Sequence, residues 1–310
     1  MPSTVALIGA GDVAKFFTEE LLAAGHKILV LSRAPRPWFT DRKDITFLTS
    51  DYTSSSFLHI FDAHSVETVF CFIHDNTSFY VDAHEAILDA CRKSKVTKRF
   101  VPSEYDGDIE EDGHWDKPRF HLNTHVPFRR TLQNQSEVEY TLLCHGWFMD
   151  YILTAEKSYM KDIYPVWPVD LNNGESKVEI AGTGEEVVGL TAARDVARVG
   201  VKLVEMPKGA WNEKTYVCGE YTTWNNLLTQ LSSFYNRKFN ITYKPASLIQ
   251  SAVTDPSVAD ADKAFVYMQE WNVSGASAPP RDKLFDCVRQ GVKLRSVAEL
   301  LEDGRKDGIV

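Results

Sequence analysis

Val5-Ala6-Leu7-Ile8-Gly9-Ala10-Gly11-Asp12-Val13-Ala14 joins a short apolar run to the pattern G-x-G-x-x-A. Gly9 permits a tight turn from a strand into a helix, and Gly11 lets the backbone approach a pyrophosphate. Ala14 lets the helix pack closely on the strand, while the free N–H groups at its start, at Asp12 and Val13, face the phosphates. The stretch therefore predicts the opening unit of a dinucleotide-binding domain.

The end of the second strand, expected over Lys27–Leu31, indicates which dinucleotide is bound. NAD-binding domains usually place Asp or Glu there to accept hydrogen bonds from the adenosine ribose. This chain instead continues with Ser32 and Arg33, and Arg36 follows. Hydroxyl and guanidinium groups suit a 2′-phosphate, so the sequence predicts NADP(H). The alternative is that Arg33 is only a solvated loop residue.

Composition excludes several classes of protein. The net charge of −9 over 310 residues argues against a nucleic-acid partner, because no basic stripe offsets it. The N-terminus carries no signal pattern, and no apolar run approaches the roughly 20 residues that a membrane helix needs. Five scattered cysteines without C-x-x-C spacing are typical of a reducing compartment. We expect a cytoplasmic protein that acts on a small molecule.

Strand-like and helix-like segments alternate through the first half of the chain, which predicts an α/β fold with a doubly wound, mostly parallel Rossmann sheet. Strands are expected near 4–8, 27–31, 45–48, 67–73, 98–102, 138–143, 177–180 and 187–190. Helices are expected near 12–24, 54–61, 78–93, 118–135, 193–205, 225–235 and 296–301. We predict a Rossmann domain over 1–155, to which elements near 176–205 return, and a smaller, irregular α+β substrate domain over 156–310.

Ligands of open α/β sheets bind at the carboxyl ends of the strands, so residues there are candidates for the cofactor site. Asp51 and Tyr52 follow the third strand and are expected to meet the adenine. Phe72 and His74, at the end of the fourth strand, are expected on the nicotinamide side. Ser103, after the fifth strand, is a further candidate for cofactor contact.

Several motifs together resemble the NmrA-like, isoflavone-reductase-like branch of the atypical short-chain dehydrogenases. Beside the glycine turn they are Val96-Thr97-Lys98-Arg99-Phe100-Val101-Pro102-Ser103-Glu104-Tyr105, Glu139-Tyr140-Thr141, Gly146-Trp147-Phe148-Met149-Asp150, Ile180-Ala181-Gly182-Thr183-Gly184 and Arg194-Asp195-Val196-Ala197. The resemblance implies a Rossmann domain that binds NADP(H) and a smaller domain that closes over the substrate. The branch that this chain resembles includes fungal enzymes of secondary metabolism and NADP-binding regulators that catalyse no reaction.

The catalytic residues depart from those of related enzymes. No tyrosine has a lysine four positions later, as the usual Tyr-x-x-x-Lys would require. The resemblance places a lysine seven residues before a helix leucine, and counting back from Leu132 reaches His125. Histidine can donate a proton near neutral pH, but it does not supply the permanent cation of lysine.

Three side chains are candidates for acid–base chemistry. Glu104 follows the fifth strand, and burial would raise its pKa enough for proton transfer; the alternative is a structural role. His121 and His125 stand four apart and are expected on one helix face. Because no carboxylate or third histidine is spaced to complete a metal site, none is predicted.

Aromatic residues near the strand ends suggest a cleft for a planar, apolar substrate. The candidates are Tyr105, His145, Trp147 and Phe148.

The leading hypothesis is an NADPH-dependent reductase of a C=N, C=C or C=O bond, in secondary-metabolite or alkaloid biosynthesis. His125, Glu104 or a water would deliver the proton, with His121 as the further candidate. One alternative is a non-catalytic NADP(H)-sensing regulator, which alone requires a protein partner. Another is an enzyme of a non-redox cyclisation or rearrangement that retains the nucleotide.

Overall fold

A parallel six-stranded sheet forms the centre of the computed structural model, which describes residues 2–107, 121, 123–172 and 176–310. Its strand order is β3-β2-β1-β4-β5-β6. The strands are β1 (Thr4–Ile8), β2 (Lys27–Ser32), β3 (Thr46–Thr49), β4 (Thr68–Cys71), β5 (Arg99–Val101) and β6 (Glu139–Tyr140). The predicted Rossmann fold is confirmed.

Helices cover both faces of this sheet. They are α1 (Asp12–Ala23), α2 (Pro37–Thr40), α3 (Ser54–His64), α4 (Phe79–Lys93) and α5 (His125–Gln133). Successive β1 side chains enter different cores, since Val5 and Leu7 pack with residues of α1, whereas Ala6 and Ile8 pack with residues of α3 and α4. Burial on both faces explains why these strands are continuous apolar runs rather than alternating ones.

The helix predicted over 118–135 is shorter than expected. It begins at His125 and ends at Gln133. His121 has a φ of +61°, in the left-handed region, so the backbone at that residue is not helical. The predicted residues 118–120 and 122 lie outside the described part of the chain.

Smaller sheets build the second half of the chain. Here β7 (Leu142–Cys144) pairs with β11 (Lys214–Tyr216), and β9 (Lys177–Ala181) pairs with β13 (Asn240–Lys244), both in parallel. A third sheet has the order β12-β10-β8. Its strands are β8 (Trp147–Phe148), β10 (Val187–Thr191) and β12 (Glu220–Thr223).

The remaining helices complete the fold, and one of them lies against the Rossmann part. They are α6 (Ala193–Glu205), α7 (Trp224–Tyr235), α8 (Ala246–Thr254), α9 (Asp260–Val273) and α10 (Val297–Gly304), with short 3₁₀ helices at Met149–Ile152, Ala155–Lys157 and Arg281–Lys283. Arg194 and Arg198 of α6 each form an ion pair with Glu20 of α1, at 3.0 and 3.2 Å. The division at residue 155 stays a prediction.

None of the helices in the described part of the chain combines the length and the apolar character that crossing a membrane requires.

Gly200 lies where α6 packs against the Phe17 ring of α1. A Cβ there would overlap Cε1 of Phe17, a fully buried ring. The ring cannot move aside freely, because it packs edge-on against Phe72 and tilted against Phe70. Glycine at this position is therefore a packing requirement.

Gly200→Ala is expected to destabilise the protein by about 1–3 kcal/mol, as overpacked cores do. The sign of the change in the free energy of unfolding is diagnostic, because replacing glycine by alanine in an unhindered helix stabilises it by about 1 kcal/mol. Urea denaturation would measure the difference. Phe17→Leu, which removes the obstructing ring atom, should restore part of the loss when added to Gly200→Ala but destabilise on its own. An unchanged or raised stability of Gly200→Ala would contradict this packing.

Candidate active site

The glycine turn has the geometry that the sequence predicts. Gly9 has a φ of +103°, and a Cβ at this position would lie 3.1 Å from the carbonyl carbon of Phe72. Gly11 directly precedes α1, and a Cβ there would meet no atom within 4 Å. The space beside Gly11 is thus free for a phosphate to approach the start of the helix. The Asp12 side chain is already used, by Lys15 Nζ at 3.0 Å and by the Lys161 amide at 3.3 Å.

At the end of β2, Arg33 rests on an aromatic platform. Its guanidinium carbon lies 4.6 Å from the ring centroid of Phe79 and 5.6 Å from that of Tyr52. The two rings are themselves near-parallel, with an interplanar angle of 16°. Such stacking holds the guanidinium while its N–H groups stay available for an anion. Ser32 is buried next to it, and Arg36 is exposed just before α2.

The other residues predicted to contact the cofactor differ in exposure and in hydrogen bonding. Asp51 is exposed, and its carboxylate accepts from the Thr53 amide and hydroxyl, which lowers its pKa. The Phe72 amide donates to the Ile8 carbonyl at 2.7 Å, which places Phe72 directly beside the end of β1. His74 is exposed beyond β4. The roles of these residues in cofactor binding stay predictions.

Buried His84 positions the end of β5. Its Nδ1 donates to the Tyr80 carbonyl at 2.7 Å, and its Nε2 accepts from the Ser103 amide at 3.1 Å. The Tyr80 hydroxyl in turn donates to the Ser103 carbonyl at 2.8 Å. Only the neutral imidazole with its proton on Nδ1 can make both ring contacts. Burial lowers the pKa of His84 to about 4, which keeps this form at neutral pH.

Glu104 is held in an ion pair rather than left open for chemistry. Its side chain is 0% exposed, and that of its partner Arg129 is 1% exposed. Arg129 Nε lies 3.0 Å and Nη2 lies 2.5 Å from Glu104 Oε2. Burial raises the pKa of the Glu104 carboxyl, and the neighbouring guanidinium opposes that shift. The contacts support the structural alternative that the sequence left open.

Asp106, His121 and His125 form a compact cluster. One ligand atom from each lies within 4.8 Å of the others. His121 Nε2 lies 2.8 Å from Asp106 Oδ2, and the His121 and His125 rings are in contact, with centroids 3.7 Å apart and an interplanar angle of 31°. Sequence spacing predicts no carboxylate beside the histidines, because Asp106 lies 15 residues before His121, in the segment after β5. His121 also reaches His125 from outside α5, not along a shared helix face.

His125 itself is neutral at physiological pH. Burial lowers its pKa well below the ordinary value, and the nearby His121 and Arg129 act in the same direction. Its Nδ1 lies 3.0 Å from the Thr124 hydroxyl, and its other face stacks on Tyr80 at 4.2 Å. Such a ring is a poor proton donor on its own.

The predicted substrate residues are mostly interior. Tyr105 stacks on Phe72 with centroids 5.1 Å apart, and its buried hydroxyl has no hydrogen-bond partner in the described part of the chain. His145 is fully buried, and burial lowers its pKa to about 4. Trp147 and Phe148 are 6% and 7% exposed and belong to packed cores. Their part in substrate binding stays a prediction.

Sequence reasoning missed four residues that define this region: Asp106, His84, Arg129 and Phe79. Asp106 had an available signal, because it directly follows the distinctive strand motif that ends in Tyr105. His84 stands four residues after Tyr80, the spacing of one helix face, but nothing in that spacing announces its contact with Ser103.

Comparisons of the sequence and of the structure each find similar proteins over most of the chain. A model of the NmrA-like family matches residues 1–296. Oxidoreductase swnR of Arthroderma benhamiae is 33% identical over 283 residues, which are 90% of this chain and 89% of that protein. Leucoanthocyanidin reductase from Vitis vinifera, solved as a ternary complex, has a TM-score of 0.76 at 16% identity and covers 98% of this chain and 100% of its own. AtPrR2 with NADP+ and (+)pinoresinol has a TM-score of 0.74 at 18% identity, covering 97% and 98%.

The neutral form of His84 makes stability depend on pH. Unfolded His84 has a pKa near 6.5, against about 4 in the folded chain, so its stabilising effect is complete above pH 6.5 and falls as the pH drops towards 4. Urea titrations across this range would give the free energy of unfolding at each pH. Its slope against pH should be about 1.4 kcal/mol per pH unit smaller in His84→Gln than in the wild type. His59→Gln, at an exposed position on α3, should keep the wild-type slope. Equal slopes for wild type and His84→Gln would contradict the assignment.

Proposed function

The chain belongs to the NmrA-like family, and we propose that it is an NADP(H)-dependent reductase of a small, largely apolar metabolite. The observation that carries the proposal is the pairing of a glycine turn open beside Gly11 with an arginine stacked at the end of β2, where no carboxylate stands. This combination fits a pyrophosphate at the helix start and a 2′-phosphate at Arg33.

The relatives support the same proposal. The fungal protein swnR is named an oxidoreductase, and AtPrR2 was solved with NADP+. Bound NADPH would supply a hydride to a C=N, C=C or C=O bond; the chain's own contribution is to orient the reactants and to deliver the proton.

The Asp106–His121 pair is the best-placed proton source. His121 Nε2 lies 2.8 Å from Asp106 Oδ2, so the carboxylate fixes the orientation of an imidazole that can carry a proton to a substrate. The sequence placed His125 first, but its lowered pKa keeps that ring neutral, and a neutral imidazole is a poor proton donor. Glu104 is committed to Arg129. We therefore assign proton delivery to His121, Asp106 to its orientation, and His125 to the ring contact that supports it.

The histidine at position 125, where the resemblance implies a lysine, favours one of the three candidate bonds, C=N, C=C and C=O. A ketone develops negative charge on its oxygen as hydride arrives and needs an acid to neutralise that charge. An iminium is protonated before hydride transfer, so it needs less help from an acid during that step. A site with histidine in place of lysine at position 125 is suited to such a substrate, in a pathway of secondary-metabolite or alkaloid type.

Arg33→Asp is expected to weaken NADPH binding by about tenfold or more and to leave NADH binding much less affected, because only NADPH carries the 2′-phosphate. Quenching of tryptophan fluorescence during paired titrations of the nucleotide-free protein would measure both affinities.

Arg36→Asp is the matched control, since Arg36 has the same charge and is exposed but has no aromatic ring contact among the described residues. It should weaken NADPH binding less than Arg33→Asp does. Equal weakening of NADPH and NADH by Arg33→Asp would remove Arg33 from the phosphate site, and failure of both nucleotides to bind wild type would overturn the reductase proposal.

His121→Asn and Asp106→Asn are expected to slow reduction by about 10²–10⁴-fold, the usual contribution of a general acid. Asparagine suits position 121 because it tolerates the left-handed backbone there. Loss of NADPH absorbance with a panel of cyclic imines, enones and ketones would identify a substrate and then measure the variants. Full activity in both variants would refute the proton assignment. If the protein binds NADPH tightly but reduces no compound of the panel, the non-catalytic regulator is favoured. If product forms while NADPH is not oxidised, the non-redox enzyme is favoured.

A further inference from the structure

The Asp106–His121–His125 cluster has a donor set that suits a transition-metal ion. Two imidazoles and one carboxylate are the ligands of three-residue zinc sites, which keep a fourth position open to water. One ligand atom from each side chain already lies within 4.8 Å of the other two. The side chains of His121 and Asp106 are only 5% and 19% exposed, and the His125 residue is 3% exposed.

A second observation points to a ligand at the same place. Asp106 Oδ1 is buried and has no hydrogen-bond partner in the described part of the chain, although Oδ2 is paired with His121. A buried carboxylate oxygen without a partner carries a desolvation cost that a cation would remove.

The ring contacts indicate which nitrogen is available. His125 Nδ1 lies beside the Thr124 hydroxyl at 3.0 Å, so Nε2 is the donor that remains for an ion. A ligating histidine usually hydrogen-bonds through its other nitrogen in this way, which fixes the orientation of the ring. Thr124 therefore already provides the supporting contact.

We propose that a divalent transition-metal ion of the zinc type binds to Asp106, His121 and His125, with water in the remaining position. Binding replaces the hydrogen bond between His121 Nε2 and Asp106 Oδ2, because the ion takes both atoms as ligands and the ligating nitrogen carries no proton. The Nε2 proton moves to Nδ1 of a neutral ring, or to solvent from a charged one. Metal and proton therefore compete for the same pair of atoms.

The competition gives the site a regulatory consequence, which rests on the proposed function. If His121 delivers the proton for reduction, the metal-bound form lacks that proton, and Zn²⁺ inhibits turnover without competing with NADPH at the glycine turn. Metal binding itself does not depend on turnover, so the two proposals can fail separately.

Calorimetric titration of the full-length, metal-free protein with Zn²⁺, and visible spectroscopy with Co²⁺, would test the site. One ion per chain is expected, with Co²⁺ giving the intense visible bands of a four-coordinate ion. Asp106→Asn and His121→Asn should each weaken binding by at least about tenfold, since removing a ligand costs no less than removing its supporting contact. His59→Ala, at an exposed histidine on α3, should bind like wild type.

NADPH titration of each variant confirms that it is folded and separates the outcomes. Absence of stoichiometric Zn²⁺ binding by protein that binds NADPH would overturn the metal site and leave the reductase proposal standing. Binding that is unchanged in both ligand variants, or lost in His59→Ala, would place the ion elsewhere and also overturn it. Specific binding by a protein without turnover would uphold the metal site and refute only its regulatory consequence.

Discussion

The buried ion pair between Glu104 and Arg129 is the constraint on which the arrangement of the histidine cluster depends. Both side chains are almost fully removed from water, and each such charge would cost several kcal/mol if it were left unpaired. Arg129 offsets that cost by contacting Glu104 through two of its nitrogens. An arrangement that separated Glu104 from Arg129 would leave two unpaired charges in the interior, so the pair ties the segment after β5 to α5.

That geometry extends from the ion pair to the cluster beside it. Asp106 follows Glu104 by two residues, and its carbonyl accepts hydrogen bonds from the amides of His145 and Gly146 at 2.7 and 3.2 Å. The loops after β5 and β7 are thereby joined through the backbone. The carboxylate of Asp106 is thus held facing His121, while His84 fixes Ser103 on the other side of Glu104. Preorganised contacts of this kind are what a proton-transfer site requires.

The fold could be predicted from sequence to within a few residues at most strands and helices, because its determinants are local. The apolar run of β1 and the glycine turn specify one strand–helix unit, and periodicity specifies most other elements up to residue 205. The single strand predicted over 138–143 is in fact two strands, β6 and β7, in different sheets, and α8, α9 and β11 to β13 were not predicted. The site could be predicted only in part. His121 and His125 were found as a pair, but for the wrong reason, since the left-handed backbone at His121 ends any shared helix. Asp106 was missed because its place beside His121 depends on tertiary contacts. Arg129 was missed because no sequence spacing reveals a partner 25 residues away.

The glycine turn and the histidine cluster follow different physical rules. Gly9 and Arg33 offer a turn and a guanidinium, which suit phosphates whatever the substrate is. In the cluster, position 125 holds an imidazole whose pKa is well below its ordinary value, beside His121 and Asp106. A negative oxygen that develops on a ketone would meet no permanent cation among these three residues. A C=N bond that is protonated before hydride transfer develops no such negative charge, so under the proposed function the absence of lysine at position 125 fits an iminium better than a ketone.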